Sequence, residues 1–528
     1  MLLLLPMSYL VKQKIRGKIY VYEAEGYWDS EKKQARQRRR YLGVWDEGTQ
    51  SIVPKQAERD VRTTRSFGQA YLMAEVCKEI DLHKKLHKAL GEDGDPVLAL
   101  AMTKVVDPTS LKNVKHVMED SCLAEVCNAR SSFTSQGISD LLERVSRNEQ
   151  GMWKFYSSLV NAKEDVLVYD ITSLSSYAKG INWLEYGDDY RKLDLPQVNL
   201  GLVVSIDRRI PIYSKLFPGS VNDVSTLKNL VSDVRELGVT ECVFVLDRGF
   251  YSESNIEELL EQGMDFVMPL PFTTKIGKSS VSESNAEIES GEHARRFGSD
   301  IYHVIEKEVH IGDSSIFAYV LFNKKREAEE STSFYNRLMD IESKLEGKRV
   351  YGDAFDHFER VASNFRNYFE CSVDEGVMHL ARRPKAIAQA ANRFGKMMLI
   401  SSSQRSWDDA LSIYRERDVV EKLYDELKND LDLLPLRVHK NETLAGLVFV
   451  YFVAMVVRSL LLQRARAAKL LEKASLEDIV LELTKLRVVQ IGSSLKLSEV
   501  TRKQRTILEK MGIAVPVKLD LVIKSNGV

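Results

Sequence analysis

Val166-Leu167-Val168-Tyr169-Asp170 is where the pattern of the chain changes: an apolar, β-branched run stops at a carboxylate. Before it, residues 60 to 160 read as helices, for example around Tyr71 to Ile80 and Ile138 to Val145, with Gly91, Gly94 and Pro96 marking a connection. After it, Val198 to Ile206 is a second strand, Asp207-Arg208-Arg209 a turn, and Ile210 to Leu216 a third strand pairing back. A helix is expected from Val224 to Leu237, with Asp223 as N-cap and Gly238 beyond its end. Cys242 to Leu246 is apolar at consecutive positions, as a strand covered on both faces would be, and it ends at Asp247. Ser254 and Glu257 form a capping-box pattern for a short helix closed by Gly263, and Phe266-Val267-Met268 adds a strand. The order βββαβαβ is that of an α/β fold.

Working outward, residues 272 to 395 interrupt this order with Ser-rich and charged stretches, and read as an insertion with short strands around Ile301 to Val309 and Ile316 to Phe322. Toward the start, Tyr9 to Trp45 reads as a small β-hairpin module whose basic strand is Arg36 to Leu42. Lys32, Lys33, Arg36, Arg38, Arg39 and Arg40 there face one acid, Glu31. Taken alone, such a run is more often a solvated face than a binding surface. The net charge of −1 does not advertise a nucleic-acid partner, although an average hides local fields.

The chain has 528 residues, 44% hydrophobic and 29% charged, enough for several ordinary globular domains. Its five cysteines lack C-x-x-C pairing, which argues against a disulfide framework or zinc site and for a reducing compartment. Met1 to Pro6 is too short for a signal peptide. Ala445 to Val457 is apolar but is interrupted by Arg458, short of the roughly 20 residues a membrane span needs, so it reads as a buried core helix.

Ser406 and Asp409 make another capping box, opening a helix expected from Trp407 to about Asp430. At about 100° per residue, Tyr414, Arg417, Glu421 and Lys428 fall within roughly one 60° arc. Val419, Val420, Leu423, Leu427 and Leu431 make a separate apolar face. An acid flanked by Arg and Lys suits a place where cations and phosphates meet, yet it also describes an exposed helix laced with i,i+4 pairs. Two aspartates at strand ends change the balance, because Mg²⁺ takes hard oxygen ligands and paired ions assist in-line phosphoryl displacement. Each has a plain alternative: Asp170 as a turn cap, Asp247 as a partner of Arg248.

These residues resemble the DDE transposases of bacterial and archaeal insertion sequences that carry a Tyr-x2-Arg-x3-Glu-x6-Lys signature, complete here as Tyr414, Arg417, Glu421 and Lys428. The first block resembles Tyr169-Asp170-Ile171-Thr172-Ser173 followed by Asp194-Leu195-Pro196-Gln197-Val198-Asn199-Leu200-Gly201-Leu202, and the second Leu246-Asp247-Arg248-Gly249-Phe250-Tyr251-Ser252. The resemblance covers about residues 165 to 465. It implies an RNase H-like core of mixed sheet and helices, with an insertion before the last acidic helix, and cut-and-paste transposition with Mg²⁺ or Mn²⁺ as a pair of ions. It implies Asp170, Asp247 and Glu421 as catalytic, metal-binding carboxylates, with Tyr414, Arg417, Lys428 and Arg248 near DNA phosphates. Relatives that pass through a DNA hairpin stack a Trp on a flipped base, and Trp407 is the candidate here, against a first-turn packing role.

The expected organisation is therefore a basic β-hairpin module at 1–58, a helical DNA-binding module at 59–160, the RNase H-like core at 161–271 and 396–465, an insertion domain at 272–395 and a helical tail at 466–528. Partners would be double-stranded DNA with terminal inverted repeats, bound in part by Arg38, Arg39 and Arg40, target DNA, and a second copy in a homodimer; no membrane is implied. The compartment would be the cytoplasm of a prokaryotic cell, at the nucleoid. Two alternatives stand: a related nuclease without strand transfer, and a retired transposase that only binds DNA. Gly277-Lys278-Ser279 resembles a Walker A ending, but Phe272 stands where its first glycine belongs, so ATP use is not expected. None of the nine histidines is read as part of an H-E-x-x-H or paired-ligand motif.

Overall fold

The computed structural model describes residues 8–29, 32–53, 61–187, 195–285, 287–350, 352–491 and 494–517, so Met1 to Pro6, Glu31 and Asp194 lie outside the described residues. The chain forms two compact units, one of Met1–Gly151, Asp430–Asp432 and Gly446–Val528, the other of Met152–Asn429 and Leu433–Ala445.

The first unit begins with more than a hairpin. Strands β1 (Ser8–Ile15), β2 (Lys18–Asp29), β3 (Gln34–Asp46) and β4 (Ser51–Val53) form an antiparallel meander. Its register sets Arg40 opposite Glu23 and Arg38 opposite Glu25, so two of the basic positions stand across from acids. The next stretch is not wholly helical either. Strand β5 (Val61–Ser66) precedes helices α1 (Gly68–Cys77), α2 (Leu82–Leu90), α3 (Gly94–Val106), α4 (Val114–Glu119), α5 (Leu123–Val126), α6 (Ser135–Arg147) and α7 (Glu149–Leu159). β5 pairs antiparallel with Arg487–Ile491, a partner so distant in sequence that no local pattern announces it.

The second unit is built on a nine-stranded mixed sheet. Its first eight strands are β6 (Lys163–Ser175), β7 (Gln197–Ser205), β8 (Ile210–Pro218), β9 (Glu241–Val245), β10 (Asp265–Pro269), β11 (Ala294–Phe297), β12 (Asp300–Ile311) and β13 (Ser314–Phe322). A separate hairpin, β14 (Phe369–Asp374) and β15 (Val377–Arg382), precedes the ninth, β16 (Lys396–Ser401). The order across the sheet is β11-β12-β13-β16-β10-β9-β6-β7-β8, with β6-β9 and β9-β10 parallel. The helices within this run are α8 (Asp223–Glu236), α9 (Glu253–Glu261), α10 (Lys275–Ser284), α11 (Lys324–Leu345), α12 (Ala354–Ala362) and α13 (Pro384–Ala391).

The order βββαβαβ holds from β6 to β10, with three local corrections. β6 continues through Asp170 to Ser175, because its pairing with β7 runs on after its pairing with β9 stops at Val168. The N-caps are Asn222 rather than Asp223, accepting from Ser225 N, and Ser252 rather than Ser254, accepting from Asn255 N. The stretch 272–395 divides in two. β11 to β13 extend the main sheet, β13 pairing directly with β16, whereas α11, α12, α13 and the β14-β15 hairpin close over their own core of Phe334, Leu338, Ile341, Phe358, Phe369 and Met378. Gly277-Lys278-Ser279 lies inside α10, with Thr274 as its N-cap.

The expected single helix from 407 to 430 is three pieces: α14 (Trp407–Arg415), α15 (Asp418–Asp425) and a π-turn, Glu426–Asp430. At the joint, Arg417 N donates to Tyr414 O (3.2 Å) and Val420 N to Arg417 O (3.1 Å), the tighter i to i+3 pattern. Neither Pro nor Gly marks this joint, so the sequence gives no warning of it. α16 (Asn441–Ala467) is long and apolar enough to cross a membrane, but its most apolar window is 94% buried inside the protein, as a core helix is. α17 (Leu476–Thr484), β17 (Arg487–Ile491), β18 (Ser494–Leu497) and α18 (Arg502–Lys510) complete the first unit.

Candidate active site

The bent helix positions the site. α14 packs its Ala410, Leu411 and Trp407 on the sheet around Val267, Tyr319 and Leu399. α15 buries Val420, Leu423 and Tyr424 on β6 and β7, and the Tyr424 hydroxyl donates to Asp170 O (2.6 Å) and is also placed 3.0 Å from Leu200 O. Arg417, at the joint between the two helices, therefore stands near β9, whose following turn carries Asp247.

Its guanidinium uses that place. One nitrogen, Nη2, meets Asp247 Oδ2 at 3.4 Å and Glu421 Oε1 at 2.8 Å. The other Asp247 oxygen accepts from Arg248 N (2.7 Å), capping the turn Arg248–Phe250; the aspartate meets the backbone of Arg248 and leaves that side chain exposed. Asp170 joins by its field. Burial pushes its carboxyl up to about 7; Arg417 and the backbone N–H of Ile171 oppose this, and the charges of Asp247 and Asp223 add to it. Burial disfavours the Arg417 charge, but Asp247, Asp170, Tyr414 and Glu421 outweigh it and hold the guanidinium above its usual value. Tyr414 is half-buried, its hydroxyl raised by burial and by Asp247, and hydrogen-bonded to Arg417.

The chain around the aspartates is tightly built. Tyr169, beside Asp170, donates to Thr226 (3.1 Å) and packs its ring on fully buried Phe250 (4.9 Å between centroids). A Cβ at Gly201 would lie 2.9 Å from the Tyr169 ring, which explains glycine in Leu200-Gly201-Leu202.

Lys428 departs from the regular projection. The π-turn changes the rotation, so the side chain is 8% exposed and its ammonium donates to Thr172, two residues along β6 from Asp170 and on the same strand face. Trp407 packs against Phe297 (6.0 Å) and Tyr302 (6.2 Å) in an aromatic cluster. Arg38, Arg39 and Arg40 are exposed on β3.

Tyr424 and Thr172 were missed in the sequence; spacing held the signal, since Tyr424 follows Glu421 by three on a helix and Thr172 follows Asp170 by two on a strand. The histidine reading needs correction as well: His83 and His87, four apart on α2, both meet Asp95 Oδ1 at 3.0 and 3.2 Å. Among the described residues no three His, Cys, Asp or Glu stand close enough to hold a metal ion together. The acids gathered around Arg417 nonetheless offer carboxylate oxygens, the ligand type a hard divalent cation takes.

Residues 161–457 match the family described as Transposase DDE domain. The chain belongs to the DDE transposase family. It is thus an enzyme of DNA transposition, cleaving DNA and transferring strands. No curated protein matches it. Among solved structures, a piggyBac transposase in a synaptic complex with hairpin DNA aligns over 79% of both chains at 11% identity and a TM-score of 0.38, too loose a likeness to place any residue.

Proposed function

We propose that Asp170, Asp247 and Glu421 are the catalytic triad of this transposase, and that it belongs with the insertion-sequence enzymes bearing the Tyr414, Arg417, Glu421, Lys428 signature on an RNase H-like core. The observation that carries this reading is Arg417, a single guanidinium touching Asp247 and Glu421 while its charge also acts on Asp170. Two acids from separate stretches of sequence meet one cation, and the third lies within reach of its charge.

Mg²⁺ or Mn²⁺, as a pair of ions, would be held by the three carboxylates and would stabilise the attacking and leaving oxygens of phosphodiester displacement. The chain's own residues do the rest. Arg417, Arg248 and Tyr414 hold phosphates of the element's double-stranded terminal inverted repeats, Arg417 with the fork that suits phosphate oxygens, while Lys428, expected beside them, is buried on Thr172. Tyr424 ties α15 to β6, keeping Glu421 in register with Asp170. The N-terminal sheet, through Arg38, Arg39 and Arg40, and the helices of 59–160 follow the DNA outside the site. Two copies act together on two ends and on target DNA, in the cytoplasm of a prokaryotic cell. The module boundaries at 58, 160, 271, 395 and 465 belong to the same reading.

A gel shift and a nicking assay on one end substrate test the assignment. Asp247→Ala should bind the DNA as the wild type does, since removing a carboxylate does not weaken attraction for a polyanion, and should lose cleavage by about a thousandfold or more. Loss of both activities in a variant with an unchanged circular dichroism spectrum contradicts the role.

A further inference from the structure

We propose that Asp223 is a positioning residue of the active site, acting through Asp170 and the Asp247 turn to raise the site's affinity for its divalent cations. The inference rests on the triad reading above. In the sequence Asp223 reads only as a helix cap, a role that Asn222 takes instead.

Three observations place it. First, the start of α8 is fastened to both aspartate-bearing segments. Tyr169 donates to Thr226, and Thr226 donates to the Asp223 carbonyl at 2.7 Å, which ties the start of α8 to β6 next to Asp170. Asn255, 2% exposed, donates from one nitrogen to Val224 O (2.9 Å) and Phe250 O (2.8 Å), which ties it to the turn after Asp247. Second, the Asp223 carboxylate lies against that turn: a Cβ at Gly249 would fall 2.9 Å from Asp223 Oδ2, so Gly249 leaves the room this carboxylate occupies. Third, the Asp223 charge is felt at Asp170 and Tyr169 on β6 and at Tyr424 on α15. The Asp223 charge adds negative potential at Asp170, where cations are to bind. The start of α8 that carries it fixes the distance between the two segments that bear Asp170 and Asp247. Partners beyond the first ligands commonly change metal affinity by about 10–100-fold.

Mn²⁺ titration followed by electron paramagnetic resonance tests the proposal on the full chain without DNA. Asp223→Asn, which keeps the size of the side chain, should weaken Mn²⁺ binding at least about tenfold. Its DNA binding should be unchanged, and its cleavage should return as Mn²⁺ is raised. Gly249→Ala, which displaces the carboxylate without removing it, should weaken Mn²⁺ in the same direction, and Asp223→Ser serves if the asparagine variant does not fold. Wild-type Mn²⁺ affinity in a folded Asp223 variant overturns the proposal, as does a failure of all three variants to fold, which would make the role purely structural. Asp170→Ala and Asp247→Ala are run beside them. If those two also bind Mn²⁺ like the wild type, the triad reading fails; if they lose it while Asp223→Asn does not, only the role of Asp223 is lost.

Discussion

Arg38, Arg39 and Arg40 on the N-terminal sheet, and Arg417 with Lys428 beside the nine-stranded sheet, are held in opposite ways. The first group is dense in sequence and exposed, and two of its members stand across the ladder from Glu25 and Glu23. The second is sparse in sequence and well covered. Arg417 is bound by Asp247 and Glu421, and Lys428 is buried on Thr172. Exposed charges are screened within about 10 Å and gain little from each partner, whereas covered ones act at lower effective dielectric. Density of basic residues is therefore a poor guide to where a neutral chain puts its field to use.

The largest test of this contrast is Arg417→Ala. It leaves Asp247 and Glu421 without their shared cation and removes the proposed phosphate fork, so cleavage should fall by about a hundredfold to a thousandfold, or ~3–4 kcal/mol of barrier. Single-turnover nicking at saturating DNA reads it. A loss of less than about tenfold would put the covered arginine on a level with the exposed ones.

Next is pH. The folded value of Asp170, about 7, lies above the ~3.9 of an unfolded aspartate, so the folded chain takes up a proton as pH falls from about 7 toward 4. Through this group the metal-free protein gains stability on acidification and loses it as pH rises to 7. Divalent ions compete for the same oxygens, so their affinity should drop below pH 7 by up to about tenfold per unit. Melting curves without metal and Mn²⁺ titrations at pH 6 and 8 check both signs, and Asp170→Asn should flatten the melting trend.

Smaller again is Tyr424→Phe, which removes the hydroxyl shared by Asp170 O and Leu200 O and should cost about 1–2 kcal/mol in urea unfolding. Smallest should be Arg38, Arg39 and Arg40 together changed to Ala. Three independent phosphate contacts would lower the salt slope by about 2.7, but with Glu23 and Glu25 in register the expected drop is below about 1. A full drop would restore the exposed strand as a principal DNA contact.

Much of the fold was legible because strand, turn and helix signals from Val166 to Met268 are local. What was not legible is equally specific. Asp170 sits inside β6 because pairing with β7 outlasts pairing with β9, and a single strand does not reveal when each neighbour stops. The joint at Arg417 and the π-turn at Lys428 carry no Pro or Gly, so a regular projection put Lys428 on an open face that the structure buries. The β13-β16 pairing joins residues 317–322 to 396–401, beyond any local window, and it draws strands read as an insertion into the main sheet.

The first unit is discontinuous, and that bears on how the protein is made. β5, at residues 61 to 66, has its ladder partner at 487 to 491, and Gly446 on α16 lies so close to Leu142 that a Cβ would come within 2.1 Å of its carbonyl oxygen. Leaving a ribosome at roughly 5–20 residues per second, the early helices wait tens of seconds for the segments that cover them. Their apolar faces are open throughout that interval, while the intervening 152–429 stretch can already collapse on itself. A transcript broken just after residue 445 would thus yield the sheet unit with its aspartates in place and an N-terminal segment dependent on chaperones, prone to clump and quickly degraded.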